Sequence, residues 1–334
     1  MTAIILLNWN GGQDTIECLQ SLYQCKGDYC VVVVDNGSTD HSKDEILDYL
    51  LKKGIRHSLL QEGHQLTTKL QPGECLFYAL SQNYGFARGN NEALRLLSNV
   101  AGYDHYLLLN NDTIVDSNFL QTLADFASHH PEVNVLTPLI RYYSEPERIW
   151  NAGGSQFWGF RKYYYANQCI GQEHLTGHKK VTFLTGCALF FSPSVLQSDG
   201  SLLTERFFFG EEDFEFCLRM NAAKKNMACV FDAVVYHKVS MSVANMPSLG
   251  RIYIYYLNRF VDMRLHLSQM KYACWSRLYS VYVVALLKKK MLSWGDARRF
   301  AKLILRESRI KDGVSATDFL NAQKCSSVAE LERQ

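Results

Sequence analysis

Four short apolar runs in the first 115 residues constrain the fold of this chain more than any other feature. They are residues 3–7, 30–34, 75–80 and 106–110. Each run is typical of a strand that is buried on both faces, and each leads through a polar cluster into a helical pattern. This alternation predicts an α/β fold, in which a mostly parallel sheet is flanked by helices on both faces.

The helices that follow these strands are predicted at about residues 14–23, 42–53, 92–97 and 117–129. Ser42 and Glu45 have the spacing of a capping box at the start of the second helix. Residues 54–73 are polar and have no clear assignment.

The pattern changes at about residue 131, where short strands and loops rich in aromatic residues begin. A helix is predicted at 212–221 and a last strand at 230–236, and the chain beyond about residue 245 is predicted to be helical. We therefore expect a first domain of residues 1–245, made of the halves 1–115 and 116–245, and a helical C-terminal region of residues 246–334.

Charge and cysteine content exclude some classes of protein. The 35 basic residues are balanced by 33 acidic ones, so composition provides no case for nucleic acid as a partner. The ten cysteines include no CxxC pair, which favours reduced, mostly buried thiols in a cytoplasmic protein. The first strand starts close to Met1, and the apolar stretch 279–287 is far shorter than the roughly 20 residues of a membrane-spanning helix. We expect neither secretion nor a membrane span.

Polar residues after the second and third strands suit a nucleotide. Asp35 can accept a hydrogen bond from a ribose hydroxyl or a base N–H, and Gly37 permits close approach to the backbone. A turn with a helix cap is the alternative interpretation. The stretch 83–91 contains two glycines and Arg88 ahead of a helix, a pattern that suits phosphate groups. It matches neither GxGxxG nor a P-loop, so a plain loop is equally compatible with it.

The fourth strand ends in Asn110, Asn111 and Asp112. An Asx turn is one interpretation of this cluster. A ligand site is the other, because the carboxyl ends of neighbouring parallel strands meet at one edge of the sheet. One carboxylate and a few amides, completed by phosphates and water, are how Mg²⁺ or Mn²⁺ is usually held. Asp112 is therefore our candidate cation ligand.

A second acidic cluster follows three aromatic residues at 207–209. Glu211, Glu212 and Asp213 stand at a predicted helix start, where acidic residues also stabilise the helix N-terminus. Carboxylates this close raise one another's pKa, and so do apolar neighbours, which is how a general base is tuned. His237, at the end of the last strand, is either an ordinary histidine or a ligand. Only the presence of the two acidic clusters in the same chain favours a ligand.

Seven motifs taken together resemble family 2 glycosyltransferases, in that family's order and roughly at its spacing. They span about residues 3–240 and are found at 8–10, 34–40, 83–91, 110–112, 185–188, 212–213 and His237. The branch that they most resemble contains bacterial rhamnosyltransferase-like enzymes of O-antigen and cell-surface polysaccharide synthesis. The resemblance implies a GT-A fold with a Rossmann-like sheet, a nucleotide-diphosphate-sugar donor, Mn²⁺ or Mg²⁺, and inversion at the anomeric carbon.

The resemblance also implies roles for individual residues. Asp213 matches the presumed base and Glu212 its neighbour. Asp112 stands at the last position of the DxD metal motif, whose first position here is Asn110, and His237 matches a histidine that some members use for the metal. The donor is expected to contact Asn8, Asn10, Asp35, Asn36, Gly37, Asn83, Gly85, Arg88, Asn91 and Asn111. The acceptor is expected to contact Thr185, Gly186 and Glu211.

We therefore expect a metal-dependent inverting hexosyl- or deoxyhexosyltransferase. It would move a sugar from a UDP- or dTDP-sugar to a saccharide or lipid-linked saccharide acceptor in surface polysaccharide synthesis. One alternative is a non-catalytic nucleotide-sugar-binding protein, in which the acids near residue 212 only start a helix. The other is a nucleotidyltransferase, although residues 8–12 lack the basic signature of that class.

The C-terminal region carries an excess of basic residues between 259 and 311, interleaved with the apolar stretch 279–287 and Trp294. This pattern predicts a basic amphipathic surface on the inner face of the plasma membrane, which would suit a lipid-linked acceptor. A solvated face of helices packed on the first domain is the alternative, and the same helices can also pair subunits of a homo-oligomer.

Overall fold

The computed structural model describes residues 1–170, 175–239 and 248–333. The first 129 residues contain β1 (Thr2–Asn8), α1 (Gly12–Leu22), β2 (Tyr29–Asp35), α2 (Ser42–Lys52), β3 (His57–Gln61), β4 (Cys75–Ala79), α3 (Gly85–Ser98), β5 (His105–Asn110), β6 (Thr113–Val115) and α4 (Phe119–His129). The next part contains β7 (Val133–Tyr142), β8 (Ile149–Asn151), β9 (Gly154–Phe157), β10 (Phe160–Tyr163), β11 (His178–Val181), β12 (Ala188–Phe191), α5 (Glu212–Ala222) and β13 (Asn226–His237). The last part contains α6 (Ser248–His266), α7 (Gln269–Lys290), α8 (Trp294–Ile310), α9 (Ala316–Ala322) and α10 (Val328–Leu331).

One large sheet runs through the first domain in the order β11-β13-β7-β12-β5-β1-β2-β4-β3, with β6 on β13 and β8 on β7. Strands β5, β1, β2, β4 and β3 are all parallel, so the predicted parallel α/β sheet is confirmed. Strand β12 joins antiparallel to both β5 and β7, and β13 lies parallel to β7. The sheet is therefore mixed in its second half, and both proposed halves of the domain share it.

Both faces of the sheet are covered by helices, which is why its central strands are continuously apolar. Along β1, Ala3 and Ile5 face one layer while Ile4 and Leu6 face the other, and all four are fully buried. Helices α1, α2 and α4 cover one face, and α3, α5 and the C-terminal helices cover the other. The parallel strands β1, β2 and β5 end in the polar residues Asn8, Asp35 and Asn110, which lie at one edge of the sheet.

The structure adds a strand to the unassigned residues 54–73 and corrects the prediction at Ser42. The polar stretch 54–73 contains the edge strand β3, whose residues are half-buried or exposed and so lack an apolar run. The capping box predicted at Ser42 is absent, because Ser42 lies inside α2 and its hydroxyl accepts a hydrogen bond from the Gly12 N–H at 3.0 Å. That bond ties α2 to the start of α1.

The stretch 83–91, expected as a loop before a helix, is mostly helical because α3 already begins at Gly85. Gly85 has a φ of +83°, and a Cβ there would lie 2.1 Å from the carbonyl oxygen of Phe208. Only glycine permits this close approach between α3 and the loop before α5.

The predicted helical C-terminal region is made of α6 to α10, and α6 packs directly on the first domain. The Asn258 amide donates to the carbonyls of Phe209 at 3.1 Å and Gly210 at 2.6 Å, and it accepts from the Val314 N–H at 2.8 Å. The boundary expected at residue 245 falls outside the described residues. All ten cysteines are free thiols, seven of them buried. None of the helices within the described ranges has the length and apolar composition needed to cross a bilayer.

Candidate active site

A cavity of about 550 Å³ opens at the edge of the sheet where the parallel strands end. The predicted site residues in its lining are Asn36, Asn83, Gly85, Asn111, Asp112, Thr185, Gly186, Glu211, Glu212, Asp213 and His237. Helices α6 and α9 close one side of the cavity with Arg251, Ile254, Tyr255 and Phe319. The C-terminal region is therefore part of the wall.

Asn36 organises the side of the cavity where the donor is expected. Its amide donates to Asn83 Oδ1 at 3.0 Å and to the Gly85 carbonyl at 3.1 Å, and its Oδ1 accepts from the Tyr84 N–H at 3.0 Å. The end of β2 and the start of α3 are thus joined through one buried side chain. In the turn after β5, the Asn111 amide donates to the Thr15 hydroxyl at 3.0 Å.

Asn8 and Asp35 form a buried layer beside the cavity and are absent from its lining. Asn8 Nδ2 donates to Asp35 Oδ1 at 2.9 Å and to the Ser38 hydroxyl at 3.1 Å. Asn10 also lies outside the cavity lining, and its Oδ1 accepts from the Thr39 N–H at 2.8 Å. Gly37 has a φ of +69° and leaves no room for a Cβ beside the backbone of Gln82. These residues hold the shape of the predicted nucleotide loop.

Two residues expected at the donor are placed elsewhere by the early start of α3. The Arg88 side chain is 45% exposed, lies 4.0 Å above the Tyr84 ring and pairs with Glu92 at 3.5 Å. Asn91 is buried and donates to the Leu203 carbonyl at 2.8 Å. The early start of α3 leaves both side chains outside the cavity lining, and their contact with a phosphate group stays a prediction.

Asp112 and His237 meet through a strand pair that the sequence did not reveal. The short strand β6, directly after Asp112, pairs with the end of β13 and places Thr113 opposite His237. His237 Nε2 lies 3.1 Å from Asp112 Oδ1, and the Trp150 ring packs edge-on against the imidazole at 4.5 Å. Burial disfavours the charged imidazole, but Cys187 and Asp112 outweigh that effect and raise the pKa of His237 to about 10.

Glu211 is held by two arginines on the other side of the cavity. Its backbone is left-handed, with a φ of 74°, and its side chain is buried. Arg259 Nε donates to Glu211 Oε2 at 2.7 Å, and Arg161 Nη2 lies 3.0 Å from Oε1. Both oxygens of Glu211 are occupied, so this residue anchors the acidic turn, and its contact with an acceptor stays a prediction.

The two acids that follow differ in their surroundings. Glu212 is buried and accepts a hydrogen bond from the Gly210 N–H at 2.8 Å, and burial raises its pKa to about 8. The Asp213 side chain is 21% exposed, and burial raises its pKa although Arg161, 3.8 Å away, opposes the shift. The Gly186 N–H donates to Asp213 Oδ2 at 3.4 Å, next to Thr185. Asp213 is the acid with room for a substrate.

The family models match the two parts of the chain that build this cavity. The model described as glycosyl transferase family 2 matches residues 3–195, and the one described as glycosyl transferase family group 2 matches residues 105–305. The chain belongs to glycosyl transferase family 2. The predicted family is thereby confirmed, and the protein is a glycosyltransferase.

Solved structures confirm the fold of this glycosyltransferase. GalNAc-T7 with UDP, GalNAc and Mn²⁺ has a TM-score of 0.56 at 12% identity, over 96% of this chain and 56% of that one. TarS residues 1–349 from S. aureus has a TM-score of 0.51 at 14% identity, over 100% and 92%. The mannosyltransferase PcManGT from Pyrobaculum calidifontis, with GDP-Man and Mn²⁺, has 0.51 at 13%, over 93% and 86%. A comparison with curated protein sequences found no match.

The donor set at Asp112 fits the divalent cation that the family implies. Asp112 supplies a hard carboxylate oxygen, and His237 supplies an imidazole nitrogen once a bound cation displaces its proton, a combination that suits Mn²⁺. Among the described residues, no group of three or more His, Cys, Asp or Glu side chains is placed to bind a metal. A cation at this glycosyltransferase site would therefore take its remaining ligands from water and from the donor diphosphate.

Sequence reasoning also missed Arg161 and Arg259, the two arginines that pair with Glu211. Arg161, on β10, lines the cavity and lies within 5.5 Å of the ring centres of Tyr163, Phe183 and Tyr255. Arg259 is fully buried against the Phe214 ring. The only sequence signal was an arginine beside aromatic residues in each segment, and that pattern also fits an ordinary surface.

Proposed function

We propose that this glycosyltransferase is an inverting, metal-dependent enzyme that uses a UDP- or dTDP-hexose or deoxyhexose. The acceptor is a saccharide or lipid-linked saccharide of surface polysaccharide, such as O-antigen. One observation carries the proposal. Asp213 lines the same cavity as Asp112 and His237, so a carboxylate base and a cation-binding pair face one substrate space. Neighbouring structures that contain UDP or GDP-Man with Mn²⁺ support the class of donor.

The proposed reaction is a single displacement. The Asp213 carboxylate takes the proton of an acceptor hydroxyl as that oxygen attacks the anomeric carbon of the donor. A new glycosidic C–O bond forms as the bond between the anomeric carbon and the diphosphate oxygen breaks, and the nucleoside diphosphate leaves with both electrons. Asp112 and His237 would hold a cation, which supplies positive charge to the departing diphosphate. Attack opposite to the leaving group inverts the configuration.

The surroundings of Asp213 support its role as the base. A base must be deprotonated yet retain affinity for a proton, so a raised pKa favours proton transfer near neutral pH. Burial supplies that shift, and the Gly186 N–H fixes one carboxylate oxygen. Arg161, 3.8 Å away, opposes that shift and favours the charged carboxylate. Glu212 is better described as a structural acid, because it bonds back to the Gly210 N–H within its own turn.

A panel of nucleotide sugars tests the proposal directly. We expect one UDP- or dTDP-sugar, with Mn²⁺ or Mg²⁺ present, to raise the melting temperature and to be hydrolysed slowly or transferred to a saccharide acceptor. Mass spectrometry of the product gives the sugar, and NMR gives the anomeric configuration. Retention of configuration would contradict the single displacement. Binding without turnover for every donor and acceptor would instead favour a non-catalytic nucleotide-sugar-binding protein.

Asp112→Ala is expected to weaken metal-dependent donor binding roughly tenfold or more. Removing a side chain that merely supports a metal ligand typically lowers metal affinity by that factor, and Asp112 is a proposed ligand itself. Calorimetry with the donor from the panel, with Mn²⁺ and with EDTA, measures the effect. EDTA should weaken binding to the natural protein and change little in the variant. Asp44→Ala, at an exposed aspartate on α2, is the control. Equal affinity of the natural protein and Asp112→Ala in Mn²⁺ would remove Asp112 from the site.

A further inference from the structure

A contiguous apolar and aromatic surface lies on the outer side of α7 and the adjoining tip of the β9–β10 hairpin. We call it the α7 surface. Its residues are all at least 41% exposed, and they are Phe157, Trp158, Phe160, Met270, Leu278, Val281 and Tyr282. Single exposed apolar residues are common on proteins, whereas a cluster of this kind marks a surface that meets another apolar phase.

Two sets of contacts make the surface continuous. Phe160 on the hairpin meets Tyr282 on α7 with ring centres 5.0 Å apart, although both side chains remain exposed. Phe157 is paired with Phe160 across the hairpin. On α7, residues 270, 274, 278 and 282 follow one another at four-residue spacing and so lie along one face of the helix.

The hairpin tip is held firmly in place beneath its exposed rings. Trp158 and Gly159 both have positive φ, 48° and 79°, as a two-residue hairpin turn requires. The Trp158 carbonyl accepts from the Trp275 indole at 2.9 Å, and the Gly159 carbonyl accepts from the Tyr279 hydroxyl at 3.3 Å. Arg259 also donates to the Gly159 carbonyl. The exposed aromatic rings are therefore presented by a fixed backbone.

The charge along α7 has one sign. Helix α7 contains no acidic residue and five basic ones, which are Lys271, Arg277, Lys288, Lys289 and Lys290, all exposed. At its C-terminal end, Lys288 and Arg298 both lie 5.8 Å from the ring centre of Trp294, which is 54% exposed. Aromatic and aliphatic side chains bordered by lysine and arginine are typical of helices that lie at the interface of an anionic bilayer.

We propose that the α7 surface docks this glycosyltransferase on an anionic lipid bilayer. The aromatic tip and the apolar face of α7 enter the headgroup region, while the flanking lysines and arginines contact lipid phosphates. The same hairpin strand carries Arg161 and Tyr163 into the catalytic cavity, so docking brings the cavity wall next to the membrane. A lipid-linked acceptor would then be presented where Asp213 stands. This last step rests on the proposed function, whereas the docking does not.

Vesicle sedimentation of the full chain without any sugar donor tests the docking. The natural protein should bind vesicles containing phosphatidylglycerol at low salt, and bind vesicles of phosphatidylcholine alone at least tenfold more weakly. Changing Lys288, Lys289 and Lys290 together to Glu should weaken binding to the anionic vesicles at least tenfold. The matched control reverses the same number of charges at Lys26, Lys52 and Lys53, which are exposed outside the α7 surface, and should bind nearly as the natural protein does.

The apolar contribution is tested separately by Leu278→Ser with Phe157→Ser, against Leu51→Ser, a 70% exposed leucine on α2. We expect weaker vesicle binding for the first variant only, with unchanged melting temperature and unchanged transfer to a water-soluble acceptor. If the two variants with three reversed lysines lost vesicle binding equally, net charge alone would explain the attraction. That result would overturn the proposal. Absence of binding to anionic vesicles would overturn it too. So would a stable dimer in solution that the Leu278→Ser and Phe157→Ser variant dissociates, because a second copy would then cover the surface.

Discussion

Asp213→Asn is expected to lower kcat for glycosyl transfer by about 10³-fold, within the range that a positioned general base contributes. Asparagine keeps the size of the side chain but cannot take the proton of the acceptor hydroxyl. Donor affinity should change little, because Asp213 stands apart from the metal pair in the proposed arrangement. Initial rates with the donor identified by the panel, together with donor calorimetry, separate these two effects.

Glu212→Gln is the matched comparison for that substitution. Burial raises the pKa of Glu212 to about 8, so at neutral pH its carboxyl is largely protonated and glutamine closely replaces it. Its Oε1 can still accept from the Gly210 N–H. We expect a loss of less than about tenfold, well below the contribution of a general base. A large loss in Glu212→Gln together with a small one in Asp213→Asn would exchange the roles of the two acids.

The pH profile provides an independent check on Asp213. Its pKa is raised by burial, and a base is active only when deprotonated, so the rate should fall as pH drops through that raised pKa. The residual rate of Asp213→Asn should lack this acidic limb. If the rate of Asp213→Asn fell at low pH as the rate of the natural protein does, the fall would be due to another group.

Arg259→Met is expected to lower the free energy of unfolding by about 3–5 kcal/mol, the usual cost of removing one partner from a buried ion pair. Arg259 is fully buried and pairs with Glu211, which is 5% exposed. Without Arg259, Arg161 is the one ion-pair partner left to the Glu211 carboxylate among the described residues, and the Gly159 carbonyl loses a donor. Denaturant unfolding at neutral pH measures the change.

Arg264→Met is the control for this prediction, since it removes another arginine of the same helix. Arg264 pairs with Asp312 at 3.0 Å, but the Asp312 side chain is 71% exposed, so the loss should be within about 1 kcal/mol. Adding Glu211→Leu to Arg259→Met should cost less than the sum of the two single changes, because both remove the same pair. Equal destabilisation by Arg259→Met and Arg264→Met would show that the buried pair is unimportant for stability.

Much of the fold could be predicted from the pattern of apolar residues in short segments of the sequence. The four apolar runs predicted the central strands because a strand covered on both faces needs no polar side chain, and β1 and β2 meet that condition along nearly their whole length. Strand β3 was missed because it lies at the edge of the sheet, where three of its five residues remain exposed and the apolar run disappears. The start of α3 was misplaced because Gly85 fits a loop or a helix N-terminus equally well until Phe208 packs against it.

The site was predictable as a set of residue types at strand ends, and less so as a set of contacts. Asp112, Asp213 and His237 were singled out and do line one cavity. Arg88 and Asn91 were singled out on the same grounds and do not. Their side chains follow the turn of α3, and the difference of a few residues in where a helix begins decides which way a side chain points.

The sequence by itself determined the alternation of central strands and helices in the first 129 residues, the parallel half of the sheet and the presence of acids at its open edge. These depend on the apolar period of short segments and on the rule that parallel strands end at one edge. Only the tertiary structure decided which acid carries a full set of ion pairs and which one keeps room for a substrate. Glu211 is neutralised by Arg161 from the hairpin and Arg259 from α6, while Asp213 next to it stays open to the cavity. That difference depends on packing between segments far apart in the chain, which no local pattern encodes.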